Sequence, residues 1–337
     1  MKKNVERPSW LPKLKTYEKP SRGRAIWQLI NTLVPYLSIV VLMYFSLQWG
    51  WPIWGTLLLA IPGAAFLVRA FIIFHDCVHG SFFASRKANR FWGTVLGVMT
   101  FTSYGSWQHG HGVHHSTAGN LDRRTIGEIW TLTVEEYRNA SKGTRLWYRI
   151  YRNPVVLFLI APIILFVGTQ RFPDKSDNAR QRRSVLVTNL ILLGIVALAY
   201  FTIGLGPYLL IQLSIMQLAG MGGIWLFYVQ HQFDPGYWER EEEWNDVDAA
   251  LEGSSYYKLP AVLQWFSGNI GLHHVHHLKP RIPNYNLPRA LADIPELQLD
   301  DYLSVKDSVS SIFLNLWDEE RKELISFRQM RRRPAQA

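Results

Sequence analysis

All 11 histidines of this 337-residue chain fall in four short segments: His75 and His79; His109, His111, His114 and His115; His231; and His273, His274, His276 and His277. At the chain's own histidine frequency, segments of that length would hold fewer than one, so the clustering marks a site. On a helix, His75 and His79 lie one turn apart on one face, and His111-x-x-His114-His115 and His273-x-x-His276-His277 offer imidazoles at i, i+3 and i+4. Such spacing suits metal ligation. About nine imidazoles exceed what one ion accepts, and two ions are the economical reading. Imidazole suits Fe, Zn, Cu and Ni alike, so ligand type does not name the metal.

The elements that carry these residues are read from charge and hydropathy. The net charge is +10, yet only 18% of residues are charged and 48% are hydrophobic, so the charge is clustered. Residues 1–24 hold eight basic side chains (Lys2, Lys3, Arg7, Lys13, Lys15, Lys19, Arg22 and Arg24) and no signal-peptide core, which reads as a cytoplasmic flank. Residues 25–49 contain no Asp, Glu, Lys or Arg, and 51–74 only Arg69, so each run spans a bilayer as a helix, joined at the uncharged Gly50-Trp51-Pro52. Runs 185–203 and 207–229 form a second hairpin through Gly204-Leu205-Gly206. If 154–170 crossed as well, five basic residues of 171–183 would lie outside, and Pro162 bends the middle of that segment, so it reads as re-entrant or interfacial. The short run 91–106 reads as a dip into the near leaflet. Six crossings are the alternative, if both doubtful segments span.

The expected fold is therefore an all-α integral membrane protein: a basic segment (1–24), a first transmembrane hairpin (25–74), a cytoplasmic or interfacial region (75–183), a second hairpin (184–230) and a cytoplasmic cap (231–337). All four histidine segments then face one compartment, beside a space of acyl dimensions. Breaking an unactivated C–H bond there needs activated oxygen, for which iron is the usual metal. A single cysteine, Cys77, rules out intrachain disulfides and thiolate cages, and as a small buried hydrophobe it is given no role.

His75-Asp76-Cys77-Val78-His79, His111-Gly112-Val113-His114-His115 and His273-His274-Val275-His276-His277 resemble the three histidine boxes of the integral-membrane fatty acid desaturases. The resemblance covers nearly the whole chain. RAFIIFHDCVH (69–79), WLFYVQH (225–231) and GNIGLHHVHHL (268–278) are most similar to the bacterial acyl-lipid delta-5 phospholipid desaturases. It implies nine ligands to a diiron centre, His75, His79, His111, His114, His115, His231, His273, His276 and His277, with O2 as co-substrate and electrons from an external donor. It implies cis-desaturation of saturated acyl chains of membrane phospholipids, in the plasma membrane, with the site on the cytoplasmic side. No dinucleotide motif or haem appendage is present, so ferredoxin or flavodoxin is the expected donor; no nucleic-acid partner is expected.

Two histidines, His109 and His274, are left over and are expected to orient ligands or carboxylates, as are Asp76, Asp122, Gln230 and Asn269. Arg69 reads as snorkelling to the cytoplasmic interface, or as pairing with a carboxylate or anchoring the site. Trp107, Trp225, Trp265 and Tyr228 are either acyl-tunnel walls or an interfacial aromatic belt. The Arg331-Arg332-Arg333 tail reads as resting on anionic headgroups or solvated. A bis-histidine haem protein would need histidines within its spans, and a zinc protease a Glu where Asp76 stands. The competing activity is an oxygenase on the same architecture, a hydroxylase of alkanes, carotenoids or other lipids.

Overall fold

The computed structural model describes residues 7–124 and 127–333. Lys2 and Lys3 of the basic flank, and the last four residues of the expected cap, lie outside that range. Four helices are long and apolar enough to cross a membrane: α1 (Arg22–Gln48), α2 (Ile53–His79), α6 (Ala179–Thr202) and α7 (Leu205–His231). Between α2 and α6 lie α3 (Arg86–Met99), α4 (Tyr104–Thr117) and α5 (Lys142–Tyr151); α8 (His273–Leu278) and α9 (Phe327–Arg332) follow α7.

The bundle's inner seam joins α1, α2 and α7, where Met43, Ala60, Leu67 and Ile215 are fully or almost fully buried. Close approach depends on small residues: a Cβ on Gly63 would sit 3.1 Å from the Ile215 side chain. The outer faces are the reverse of a soluble protein's surface. Trp27, Val34 and Leu37 of α1 and Leu190, Leu193, Leu198 and Phe201 of α6 stand exposed, an apolar band far beyond what a water-facing monomer carries. This band faces hydrocarbon, and the chain is an all-α integral membrane protein.

Several expected boundaries move. The first hairpin runs five residues further, so that His75 and His79 ride on the last turns of α2. The second starts earlier, at Ala179, under an Asn178 cap with Gln181 completing the capping box, and its first turns carry Arg180, Arg182 and Arg183. The run 91–106 is not one dip, because the chain breaks between α3 and α4, where Phe101 takes φ 55° and Thr102 N–H donates to Gly97 O at 2.7 Å. Segment Val155–Arg171 meets α5 at 59°, as a broken span or re-entrant loop does. That bend falls in the break 152–154, which contains Pro154, and not at Pro162. Around Pro162 the helix widens into π turns on both sides, which absorb the missing N–H, and Pro162 packs on Gly220 of α7.

Beyond α7 the chain folds back over the helix ends. Five short strands, β1 (Leu132–Thr133), β2 (Tyr257–Lys258), β3 (Leu303–Ser304), β4 (Leu316–Asp318) and β5 (Glu323–Ile325), occur among the described residues and were not expected from sequence. They make a β1-β4-β5 sheet and a β2-β3 pair. Under the first lies Arg152, buried, donating to Gln232 Oε1 (2.8 Å), Leu314 O (2.6 Å) and the Tyr228 hydroxyl (3.1 Å). Arg333 of the basic tail neither rests on headgroups nor is solvated: it pairs with Asp318 (3.0 Å) and Glu323 (2.7 Å), while Arg331 and Arg332 remain exposed.

Candidate metal centre

Box one stands at the C-terminal end of α2, where the last carbonyls of a helix lack intrahelical donors. Gly80 ends the helix at φ 68°, a left-handed position that a side chain would strain. Two of these last carbonyls accept from α4: the Tyr104 hydroxyl donates to Cys77 O (3.0 Å), beside the Gly80 N–H (3.1 Å), and Gln108 Nε2 to Val78 O (2.7 Å). These bonds fix the helix that carries box two against the helix that carries box one. Trp107 lies between them, stacked on His111 at 4.2 Å and 19°.

Box three is set by a tight loop. Gly271 has no room for a side chain, since a Cβ would lie 2.4 Å from Tyr257 O; Asn269 takes φ 62° and donates through Nδ2 to Asn284 O at 3.1 Å. Gln230, one residue before the end of α7, donates through Nε2 to Ile270 O (3.0 Å), tying α7 to that loop, and its backbone carbonyl accepts from Ser255 N (3.0 Å). Asp76 reaches the same region. Its Oδ2 accepts from Asn284 N (2.7 Å) and Asn284 Nδ2 (2.8 Å), and its Oδ1 lies 3.6 Å from His75 Nδ1.

The nine imidazoles converge in two sets: His75, His79, His111, His115 and His276, and His114, His231, His273 and His277. Each H-x-x-H-H box divides between them. The i, i+4 pair enters one set (His111 with His115, His273 with His277) and the remaining member (His114, His276) the other. The sets adjoin, with His115 and His277 rings 4.2 Å apart.

The donor geometry fits metal. His231 Nε2 lies 3.1 Å from His114 Nε2 and 3.0 Å from His273 Nε2, and His115 Nε2 lies 3.1 Å from both His111 Nε2 and His276 Nε2. Nitrogens bound about 2.1 Å from one ion at right angles would stand about 3 Å apart. Nε2 of His79 and of His277 are buried without a hydrogen-bond partner, a costly arrangement for free imidazole that a metal ion would relieve. Burial first, then crowding by other imidazoles, holds His111, His114, His115, His273, His276 and His277 well below the ordinary histidine pKa. They are neutral, the form that binds metal.

The other candidates part company. His274 turns away, Nε2 toward Leu297 O (3.0 Å), against Tyr256, and burial brings its pKa down to about 4. His109 joins neither set. Asp122 stands outside the centre, accepting from Arg240 at 2.7 Å and from Glu241 N at 3.0 Å on the surface. Arg69 does not snorkel: it is buried, donates to Thr32 Oγ1 (3.1 Å) and Trp265 O, and lies 3.8 Å from the Trp265 ring centroid, locking α2 to the loop before box three. Of the four aromatic candidates, only Trp107 touches a histidine of the two sets. Tyr228 donates to Ser311 O and Leu314 O at 3.0 Å, Trp225 donates to Tyr257, and Trp265 belongs to Arg69. The sequence reading missed Glu128, which lines a small cleft with His114 and His231; burial pushes its pKa up to about 8.

Comparison with known proteins agrees with this geometry. The family model described as fatty acid desaturase matches residues 49–308. A fatty acid desaturase of Bacillus subtilis (strain 168) is 43% identical over 94% of this chain and 90% of its own length. The sn-1 acyl-lipid omega-3 desaturase (ferredoxin) of Nostoc sp. (strain 36) is 28% identical over 74% of this chain and 68% of its own. The sn-1 oleoyl-lipid 12-desaturase of Arthrospira platensis is 24% identical over 75% and 69%. The two imidazole sets thus fit a diiron centre, and the chain belongs to the fatty acid desaturase family of membrane enzymes.

Proposed function

We propose that this desaturase introduces a cis double bond, at the delta-5 position, into saturated acyl chains of membrane phospholipids. His75, His79, His111, His115 and His276 hold one iron, and His114, His231, His273 and His277 the other. Supporting this is one observation above all: two adjoining sets of imidazoles, buried or half-buried, where the apolar helices α2 and α7 end beside α4 and α8, reached by an aromatic row. Phe166 lies 6.4 Å from Phe71, Phe71 lies 5.5 Å from Trp107, and Trp107 lies 5.8 Å from His75.

Two bound irons supply the O2 activation that removing hydrogen from an unactivated methylene requires. Overall, one O2, two electrons and two protons turn a CH2–CH2 pair into cis CH=CH and two waters. The chain's own residues do the placement. Phe71, Trp107 and Phe166 give the acyl chain an apolar wall that excludes water, and each methylene buried contributes about 0.8 kcal/mol. Asp76, held by Asn284, fixes the end of α2 that carries His75. A ferredoxin or flavodoxin delivers the electrons, a reading supported by the ferredoxin named for the Nostoc relative. The protein sits in the plasma membrane in this reading, and the basic residues of 1–24 support the histidines' place on the cytoplasmic side. The layout into basic segment, two hairpins, interfacial region and cap belongs to the same proposal.

The test is expression of the parent chain and of His276→Ala in a bacterial host lacking unsaturated phospholipid chains, with double bonds mapped by gas chromatography and mass spectrometry. A cis delta-5 monoene in phospholipids, made by the parent alone, is expected. Hydroxylated lipid would overturn desaturation in favour of an oxygenase, and a monoene at another carbon would overturn the regiochemistry.

A further inference from the structure

Helix α5 lies where the chain turns from the cap toward the apolar segment Val155–Arg171. Lys142, Arg145, Leu146 and Arg149 repeat at i, i+3, i+4 and i+7, so they form one stripe along it. With Arg138 and Met330 of α9 they line a shallow groove of about 420 Å³. The walls are fixed: Arg149 donates to the Tyr137 hydroxyl (2.6 Å) and stacks over Phe327 at 4.5 Å, and Arg138 donates to Arg333 O (2.9 Å). Yet none of the four basic side chains pairs with a carboxylate among the described residues. Arg328, Arg331 and Arg332, exposed on the neighbouring α9, add positive charge.

The adjacent face of α5 is apolar and outward. Leu146, Trp147 and Ile150 are exposed, and the exposed apolar surface continues through Val155, Leu159 and Ile160 into the segment that belongs with the hydrocarbon. A Trp beside such a run, next to unpaired cations, is the pattern of a helix lying at the headgroup level. We propose that the groove between α5 and α9 binds the headgroup of an anionic phospholipid, its phosphate among Arg138, Lys142, Arg145 and Arg149 and its acyl chains beside Leu146, Trp147 and Ile150. The bound lipid docks the cap on the membrane at the point where Tyr148 and Arg152 anchor α5 beneath the small sheet.

The full-length chain in neutral detergent, titrated with phosphatidylglycerol or phosphatidylcholine and read by native mass spectrometry, tests this. Lys142→Gln/Arg145→Gln neutralises two cations whose side chains bond to none of the described residues. Each charge near an anionic surface is worth about fivefold in affinity, so phosphatidylglycerol binding falls roughly 30-fold. Lys142→Gln alone falls about fivefold, Lys142→Arg/Arg145→Lys stays at the parent value, and phosphatidylcholine binding does not respond. Equal phosphatidylglycerol affinity in the parent and the Gln pair overturns the proposal. So does displacement of the lipid by equimolar inorganic phosphate, which marks a free-anion site. A rise in the Michaelis constant for ferredoxin with lipid binding unchanged marks a donor-docking surface and overturns it as well.

Discussion

Removing the Asp76 carboxylate tests how the site is held together. Asp76 and Asn284 are both about 1% exposed, and two hydrogen bonds of 2.7 and 2.8 Å join them. A hydrogen bond to a charged acceptor contributes about 1.5–3 kcal/mol, so losing both costs about 3–6 kcal/mol. Asn284 Nδ2 keeps a second acceptor, Gln28 Oε1 at 3.1 Å, which places Asp76→Ala toward the lower half of that range. Asp76→Asn, with its amide oxygen at the Oδ2 position, keeps both contacts with Asn284 but makes the acceptor neutral, and loses about half as much. Thermal unfolding in detergent should rank parent, Asn and Ala in that order. A double-mutant cycle with Asn284→Ala should show a coupling of about 2 kcal/mol. Additive single effects, or an Asn variant less stable than Ala, would refute the reasoning.

Other consequences are more local. A Cβ on Gly97 would lie 2.5 Å from the Thr102 carbonyl oxygen, so Gly97→Ala should destabilise by about 1–3 kcal/mol, whereas Gly23→Ala, with nothing within 4 Å, should be neutral or stabilising; melting curves of the two variants decide. In the metal-free protein Glu128 has its pKa raised by burial to about 8, so the folded state binds more protons than the unfolded one above the ordinary glutamate range, and stability falls as pH climbs from there through about 8. Glu128→Gln should flatten that slope and raise the melting temperature at pH 8.5 relative to the parent; an unchanged slope would contradict the assignment. Chelation of iron should lower the melting temperature by several degrees, since metal binds the folded state alone, and Fe(II) should restore it.

The four long helices were legible because hydrocarbon demands uninterrupted apolar runs, and the convergence of nine histidines because their i, i+3 and i+4 spacing beside span ends brings the rings to one place. The division of each box into two sets was present in the i, i+4 spacing of His111 with His115 and His273 with His277, but only the crossing of α2, α4, α7 and α8 decides which pair joins which partner. Arg69 and Asp122 show the limit of local reading. A cation near a helix end reads as reaching for the interface until Trp265, 196 residues away, is seen beneath it, and a carboxylate near a box reads as a ligand's support until Arg240 claims it. Pro162 illustrates the same limit in the backbone, where a widened π turn replaced the expected bend.

The most direct measurement is metal content of the purified parent, His276→Ala and His231→Ala by plasma mass spectrometry with Mössbauer spectroscopy. The account predicts two irons per parent chain, with the first variant weakened in the five-imidazole set and the second in the four-imidazole set, each retaining about one iron. A single metal per parent chain, or zinc in place of iron, would contradict it.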